Sequence, residues 1–197
     1  MARGSRFNGY LGEFKSTFLS CEKDTETIIQ KLFVESRPYS DMLKRLLLIN
    51  TKDCLYDMTN QKYLDIIKGT SVQDLRDKGY IRLEPKILMG ENEEVKSYIR
   101  ISYDHFTPSR NREFRDCIIE IDIICHPEYW DLGNYRMRPL KIAGYIDGIL
   151  NNNKLSGIGT LNFAGMNEII LDENLAGYCL MYTATHGSDD YLEESDE

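Results

Sequence analysis

The sequence predicts an α+β fold: an antiparallel sheet of about four or five strands with one helix packed across it, preceded by a mainly helical region and an extended N-terminal arm. Three observations predict it. Between Phe114 and His126, Cys117, Ile119, Ile121, Ile123 and Cys125 share one parity, while Asp116, Glu120, Asp122 and His126 hold the other, interrupted by Ile118 and Ile124. Strands alternate faces with period two, so this segment is a long strand with one dry and one mostly wet face. Apolar residues recur at helical spacing before Tyr80 and alternate after it. A single amphipathic stretch then interrupts the alternation, with Pro139 suited to its first turn and Ile142, Ala143, Ile146, Ile149 and Leu150 as its stripe.

The elements follow in order. Residues 1–24 read as an arm of mixed charge that carries Gly4, Gly9 and Gly12 with Phe7, Tyr10, Phe14 and Phe18. Disordered segments are usually poor in aromatics, so the arm is expected to order against a neighbour or its own body. Residues 25–186 read as one α+β domain, helical over 25–83 and sheet–helix–hairpin over 84–186. Thr25–Glu35 is a helix ended by Pro38; Ser40 is the expected N-cap of the next. Asn60–Lys68 is a third helix, and Ser71 with Asp74 forms a capping box ahead of a fourth.

Tyr80–Met89 is an edge strand because of Pro85. Val95–Tyr103 pairs with the Phe114 strand across a polar turn at Asp104–Arg112. Lys96 and Arg100 on one wet face meet Glu120 and Asp122 on the other, and opposite charges of this kind favour antiparallel pairing. Gly144 and Gly148, four apart on the helix, suggest close backbone packing against the sheet. The chain closes with a hairpin: Gly157–Ala164 rises, Gly165–Asn174 turns, and Leu175–His186 returns.

The net charge of −8 is concentrated in an acidic tail at 187–197 with Asp189, Asp190, Glu193, Glu194, Asp196 and Glu197. That composition suits a solvated, disordered tail or an arm for a basic partner. The rest of the chain is nearly neutral and has no basic stripe for nucleic acid. No apolar run reaches the length of a membrane span, and Met1–Phe14 lacks the apolar core of a secretion signal, so a cytoplasmic site of synthesis is expected. Cys21, Cys54, Cys117, Cys125 and Cys179 show no CxxC spacing and read as reduced thiols, mostly buried.

Catalytic motifs are weak. Gly157-Ile158-Gly159 opens like a dinucleotide fingerprint, but Asn162 occupies the place of the third glycine. Glu120 and Asp122 read as pairing charges. His105 lies in a turn, and His126 and His186 each close a strand, so a metal-dependent hydrolase or nuclease site using His126 and His186 requires the strand ends to meet. The segment Tyr129–Arg138 is the stronger candidate. Tyr129, Trp130, Tyr135, Arg136 and Arg138 are residue types that interfaces enrich, although Trp130 can equally plug the end of the core. With Phe7, Tyr10 and Phe14 of the arm they form the expected interface. No catalytic, metal or cofactor-binding residue is assigned.

The block DCIIEIDIICH (Asp116–His126), RPLKIAGYIDGILNN (Arg138–Asn152) and the GIGTLNFAG…GYCLMYTATH hairpin (Gly157–His186) resembles tail-terminator and head–tail joining proteins of tailed bacteriophages. The resemblance covers about seventy residues. It departs from the family in its long lead before the first clean strand. It implies a non-enzymatic virion protein, without cofactor, assembled in the host cytoplasm as a ring, commonly a hexamer, at the head–tail junction. Its implied partners are copies of itself, the tail-tube protein and neck, connector or portal-associated proteins. DNA passes through without specific binding, and no membrane is involved. A cytoplasmic adaptor acting through the acidic tail is the other reading.

Overall fold

The long strand predicted at Phe114 is the centre of the molecule. The computed structural model describes residues 21–83, 97–109, 114–155, 157–171 and 174–187. The arm through residue 20, the Pro85 region, Val95, Lys96 and the acidic tail lie outside the described residues. In chain order the elements are α1 (Cys21–Gln30, continuing as a π-turn over Lys31–Glu35), α2 (Tyr39–Leu48), α3 (Gln61–Gly69) and α4 (Val72–Asp77). There follow β1 (Ile81–Arg82), β2 (Tyr98–Pro108), β3 (Phe114–Cys125), a 3-10 turn (Pro127–Tyr129) and α5 (Arg138–Leu150). Last come β4 (Lys154–Leu155), β5 (Gly159–Thr160), β6 (Asn162–Ile170) and β7 (Ala176–Gly187).

The main sheet has five strands in the order β1-β2-β3-β7-β6, and β4 and β5 form a separate ribbon. The sheet is mixed, because β1 pairs parallel to β2 while the other neighbours run antiparallel. On the inner face Ile101, Ile121 and Leu180 stand side by side, as do Tyr103, Ile119 and Tyr182. α5 packs here: Ile142, Ala143, Ile146, Ile149 and Leu150 are all buried, as their spacing predicts. Ile28, Leu32, Leu43, Leu46, Leu47 and Leu75 of the helical region join the same cluster. Each such side chain contributes about 1.5–3 kcal/mol by leaving water.

The opposite face is drier than its sequence suggests. Arg100 pairs with Asp122 in register, as predicted, with its Nε donating to Asp122 Oδ2 at 2.6 Å and Nη2 in contact with the same oxygen. Asp122 is nonetheless only 5 % exposed, and Tyr98, Ile124 and Leu175 form a second small apolar cluster beside it. Ile118 and Ile124, which interrupt the polar parity, are therefore informative residues: Ile124 helps to make that second cluster.

Several boundaries differ from expectation for identifiable reasons. α1 begins at Cys21, inside the stretch assigned to the arm. Ser40 lies within α2 and is buried, not capping it; Pro38 occupies the cap position. Asn60 and Ser71 cap α3 and α4, and the Ser71–Asp74 capping box is complete. Asp104–Pro108 is not a turn: β2 continues through it around a register shift between Asp104 and Thr107, where His105 has φ 51°. Gly165–Ile170 likewise belongs to β6, and beyond it Leu171 N–H donates to Leu175 O at 2.9 Å.

Two buried arginines organise the helical side. Arg138 is fully buried. Its Nε donates to Tyr129 O (2.7 Å), Nη1 to Leu46 O (2.5 Å) and Ile49 O (3.0 Å), and Nη2 to Thr51 O (2.9 Å). Leu46 is in the last turn of α2, whose free carbonyl end carries partial negative charge. Arg45, also buried, donates from Nη1 to Cys54 O and Asp57 O, both at 3.0 Å.

Replacing Arg138 by Met is expected to remove the donor from the Tyr129, Leu46 and Ile49 carbonyls, while Thr51 O keeps Cys54 N–H at 3.5 Å, and to remove about 3 kcal/mol or more of stability, read from urea unfolding. Gly177 predicts a comparable loss. A Cβ there would sit 1.7 Å from Ile123 O, so the β3 backbone occupies the space a side chain needs. Gly177→Ala is expected to cost about 3 kcal/mol and to lower the melting temperature by roughly 6–12 °C. Alkaline pH supplies a third test. Burial pushes the Cys117 thiol up to about 12, reinforced by Cys21 and Asp24, and pushes Cys125 up to about 11. Folded-state values above the unfolded ones mean that this stability is complete below the ordinary thiol range and is lost as pH rises through the folded values. Urea midpoints should hold to about pH 8 and fall steadily above pH 9.

Candidate functional site

The Tyr129–Arg138 loop is built on backbone hydrogen bonds that leave one aromatic ring outside. His126 starts it: its Nδ1 accepts from Glu128 N–H (3.2 Å), and its carbonyl accepts from Tyr129 N–H (3.0 Å). Asp131 then turns the chain, accepting from Gly133 N–H at 2.7 Å and from Lys52 Nζ at 3.0 Å. Those two contacts, the amide first, hold the Asp131 carboxyl below the usual carboxylate range. Leu132 N–H donates to Arg136 O, and Asp131 and Met137 bridge to close the loop.

Gly133, Asn134 and Tyr135 at its tip all have positive φ, at 75°, 49° and 59°. Glycine adopts this freely, whereas a bulky residue such as Tyr135 stays there only where its surroundings fix it. Asn134 Nδ2 donates to Tyr56 OH (3.1 Å), and the Arg136 guanidinium lies 5.4 Å from the Tyr56 ring centre. The result is a Tyr135 side chain that is 106 % exposed on a pinned backbone.

The expected interface residues divide accordingly. Tyr135 and Arg136 are exposed, whereas Tyr129 and Trp130 are half-buried. Trp130 packs 6.3 Å from the Tyr178 ring and against the main core, so it serves in part as the core plug. Arg138 is not an interface residue: its guanidinium is spent on internal carbonyls, and no face of it reaches solvent. Phe7, Tyr10 and Phe14 lie outside the described residues.

The His126–His186 pairing is ruled out by topology. Residue 186 stands opposite Arg115 and residue 176 opposite Cys125, so the two histidines sit at opposite ends of the sheet, roughly 36 Å apart. Among the described residues no group of three His, Cys, Asp or Glu side chains is placed to hold a metal ion, and no helix is long and apolar enough to cross a membrane.

Two surfaces were missed from sequence. The first is the outer side of α5. Gly144 and Gly148 do not pack on the sheet; they face outward, and a Cβ on either would meet nothing within 4 Å. They form the floor of a groove of about 660 Å³ walled by Tyr39, Tyr135, Met137, Leu140 and Tyr145. Their spacing was visible, but it reports equally on helix–sheet contact and on an open helix face. The second is β6, the edge strand, which exposes Phe163, Met166, Ile170 (72 %) and the adjoining Leu171. Gly165 and Asn167 within it read as turn residues and concealed a strand.

Comparison with known proteins adds a family. No curated protein matches the chain. A solved chain from the "Virion of native gene transfer agent (GTA) particle" is similar at 10 % identity and a TM-score of 0.41, covering 61 % of this chain and 88 % of that one. The YomW family model matches residues 40–184, from α2 into β7, and the chain therefore belongs to the YomW family.

Proposed function

We propose that this chain is a structural virion protein of a tailed bacteriophage that forms a ring at the head–tail junction, where it terminates the tail tube or joins it to the neck connector. The observation that carries the reading is the edge strand β6, beyond which no strand pairs among the described residues. Natural edge strands are usually short, or guarded by Lys, Pro or inward charge, because a bare edge pairs with other chains. β6 is nine residues long, contains neither Lys nor Pro, and exposes Met166, Ile170 and Phe163. Besides the register shift between Phe163 and Gly165, its one charge is Glu168, which is exposed and stands opposite Tyr178. A protein that keeps such an edge has a use for it, and pairing with copies of itself is the simplest.

Closed rotational symmetry would satisfy every edge at once, each copy offering one face and accepting another. Tyr135, held outward on a fixed backbone, supplies a pre-organised aromatic contact of the kind that dominates interfaces. Membership of a phage-associated family supports the virion setting. In this reading the chemistry is mechanical: one ring face binds the last tube ring, the other meets the neck, and DNA passes through the centre.

Light scattering and negative-stain microscopy of the purified chain, alone and with tube and connector proteins, test the reading. A closed multimer of about six copies is expected. Met166→Lys with Ile170→Lys should dissociate it or weaken self-association at least tenfold, while leaving the melting temperature nearly unchanged because both side chains are exposed. Tyr135→Ala should also weaken assembly while changing stability by less than about 0.5 kcal/mol. A chain that stays monomeric at every concentration and binds neither tube nor connector components contradicts the proposal.

A further inference from the structure

The groove outside α5 has the chemistry of a receptor for an acidic segment with an apolar centre. Its floor at Gly144 and Gly148 is open backbone, and its walls include Tyr39 and Tyr145, whose rings lie 6.0 Å apart. Among the described residues its charged lining side chains are Arg136 and Lys141, and none is a carboxylate. The groove is thus apolar in the middle and cationic in character.

The chain itself carries a segment of the matching pattern. Ten residues follow Gly187, SDDYLEESDE, with Tyr191 and Leu192 set between Asp189, Asp190, Glu193 and Glu194. Apolar anchors would enter the groove, and flanking carboxylates would meet Arg136 and Lys141.

Reach decides whose tail this is. Asp147, beside Gly148, accepts from Tyr182 OH at 3.1 Å, so the near end of the groove lies level with Tyr182. The far end lies at Met137, next to Arg138, whose N–H donates to Trp130 O at 2.7 Å, and Trp130 packs on Tyr178. Gly187 lies five residues past Tyr182 along β7, roughly 17 Å. Residues 188–191 extend at most about 14 Å, and Tyr191 of the same chain falls short of the groove's centre. We propose that the groove formed by Tyr39, Tyr145, Gly144 and Gly148 receives the Tyr191–Leu192 segment of a second copy, with Arg136 and Lys141 holding its carboxylates. The inference rests on the self-assembly reading above and names a contact that locks neighbouring copies together.

Carbodiimide coupling of the full-length protein, prepared as an equal mixture of light- and heavy-isotope copies, tests it. Amide links between Lys141 and Glu193 or Glu194 are expected, with mixed-isotope pairs present at the statistical share for chains joined between copies. Links found only within one isotope place the tail in its own groove and overturn the inference, as does the absence of any link to Lys141. Gly144→Glu should weaken self-association at least fivefold without lowering the melting temperature, since that position is open. The conservative Gly144→Ala, which adds no charge, should keep association within about twofold of the parent. A multimer unaffected by Gly144→Glu overturns this inference and leaves the edge-strand ring standing; a chain monomeric throughout overturns both.

Discussion

The guanidinium of Arg138 is the constraint on which the rest of the structure depends. It lies at the meeting point of three segments: the carboxyl end of α2, the chain from Ile49 to Thr51, and the Tyr129 loop. The carbonyls of Leu46 and Ile49 meet it in buried hydrogen bonds and would be stranded acceptors without a donor. A planar, permanently charged fork suits four carbonyls arriving from different directions; a lysine ammonium would offer three donors at one point. Carbonyl dipoles, one of them at a helix terminus, surround the charge. Because Arg138 is also the first residue of α5, the same side chain fixes where that helix starts relative to the helical region. The placement of Tyr135 and of the groove outside α5 both follow from it.

The sheet imposes the second constraint. β3 is paired on both sides along its length and presents Ile119, Ile121 and Ile123 to the helices. Gly177 allows β7 to approach the β3 backbone at Ile123 closer than a side chain permits. β7 in turn is paired on its other side by β6, which leaves the edge of β6 as the place where the ladder stops among the described residues. The rigid centre and the open edge are therefore one design: a well-anchored sheet that can be extended without disturbing its own core. An interface built on such an edge gains affinity from main-chain hydrogen bonds and specificity from the exposed Phe163, Met166 and Ile170 side chains.

What could be read from the sequence was what side-chain periodicity encodes. β3 was legible because its inner face is a run of Ile and Cys at every second position, and α5 because its buried residues fall on a helical stripe. The Arg100–Asp122 pair was legible from charge alone. The second half of β2 was hidden because Asp104, His105 and Pro108 are turn formers, and a bulge absorbs them within the strand. Arg138 reads as an interface cation because arginine among aromatics is what interfaces enrich, whereas the structure buries it. Its acceptors are carbonyls, which sequence patterns do not display. The outward glycines of α5 were misread because a missing side chain looks the same whether a neighbour fills the space or nothing does.

The most direct measurement of the central claim is a cryo-electron-microscopy map of the assembled phage particle at a resolution that traces strands. The account predicts this chain in a closed ring between head and tail, with β6 of each copy hydrogen-bonded to its neighbour. A particle in which the chain is absent, or in which β6 faces solvent on every copy, would contradict it.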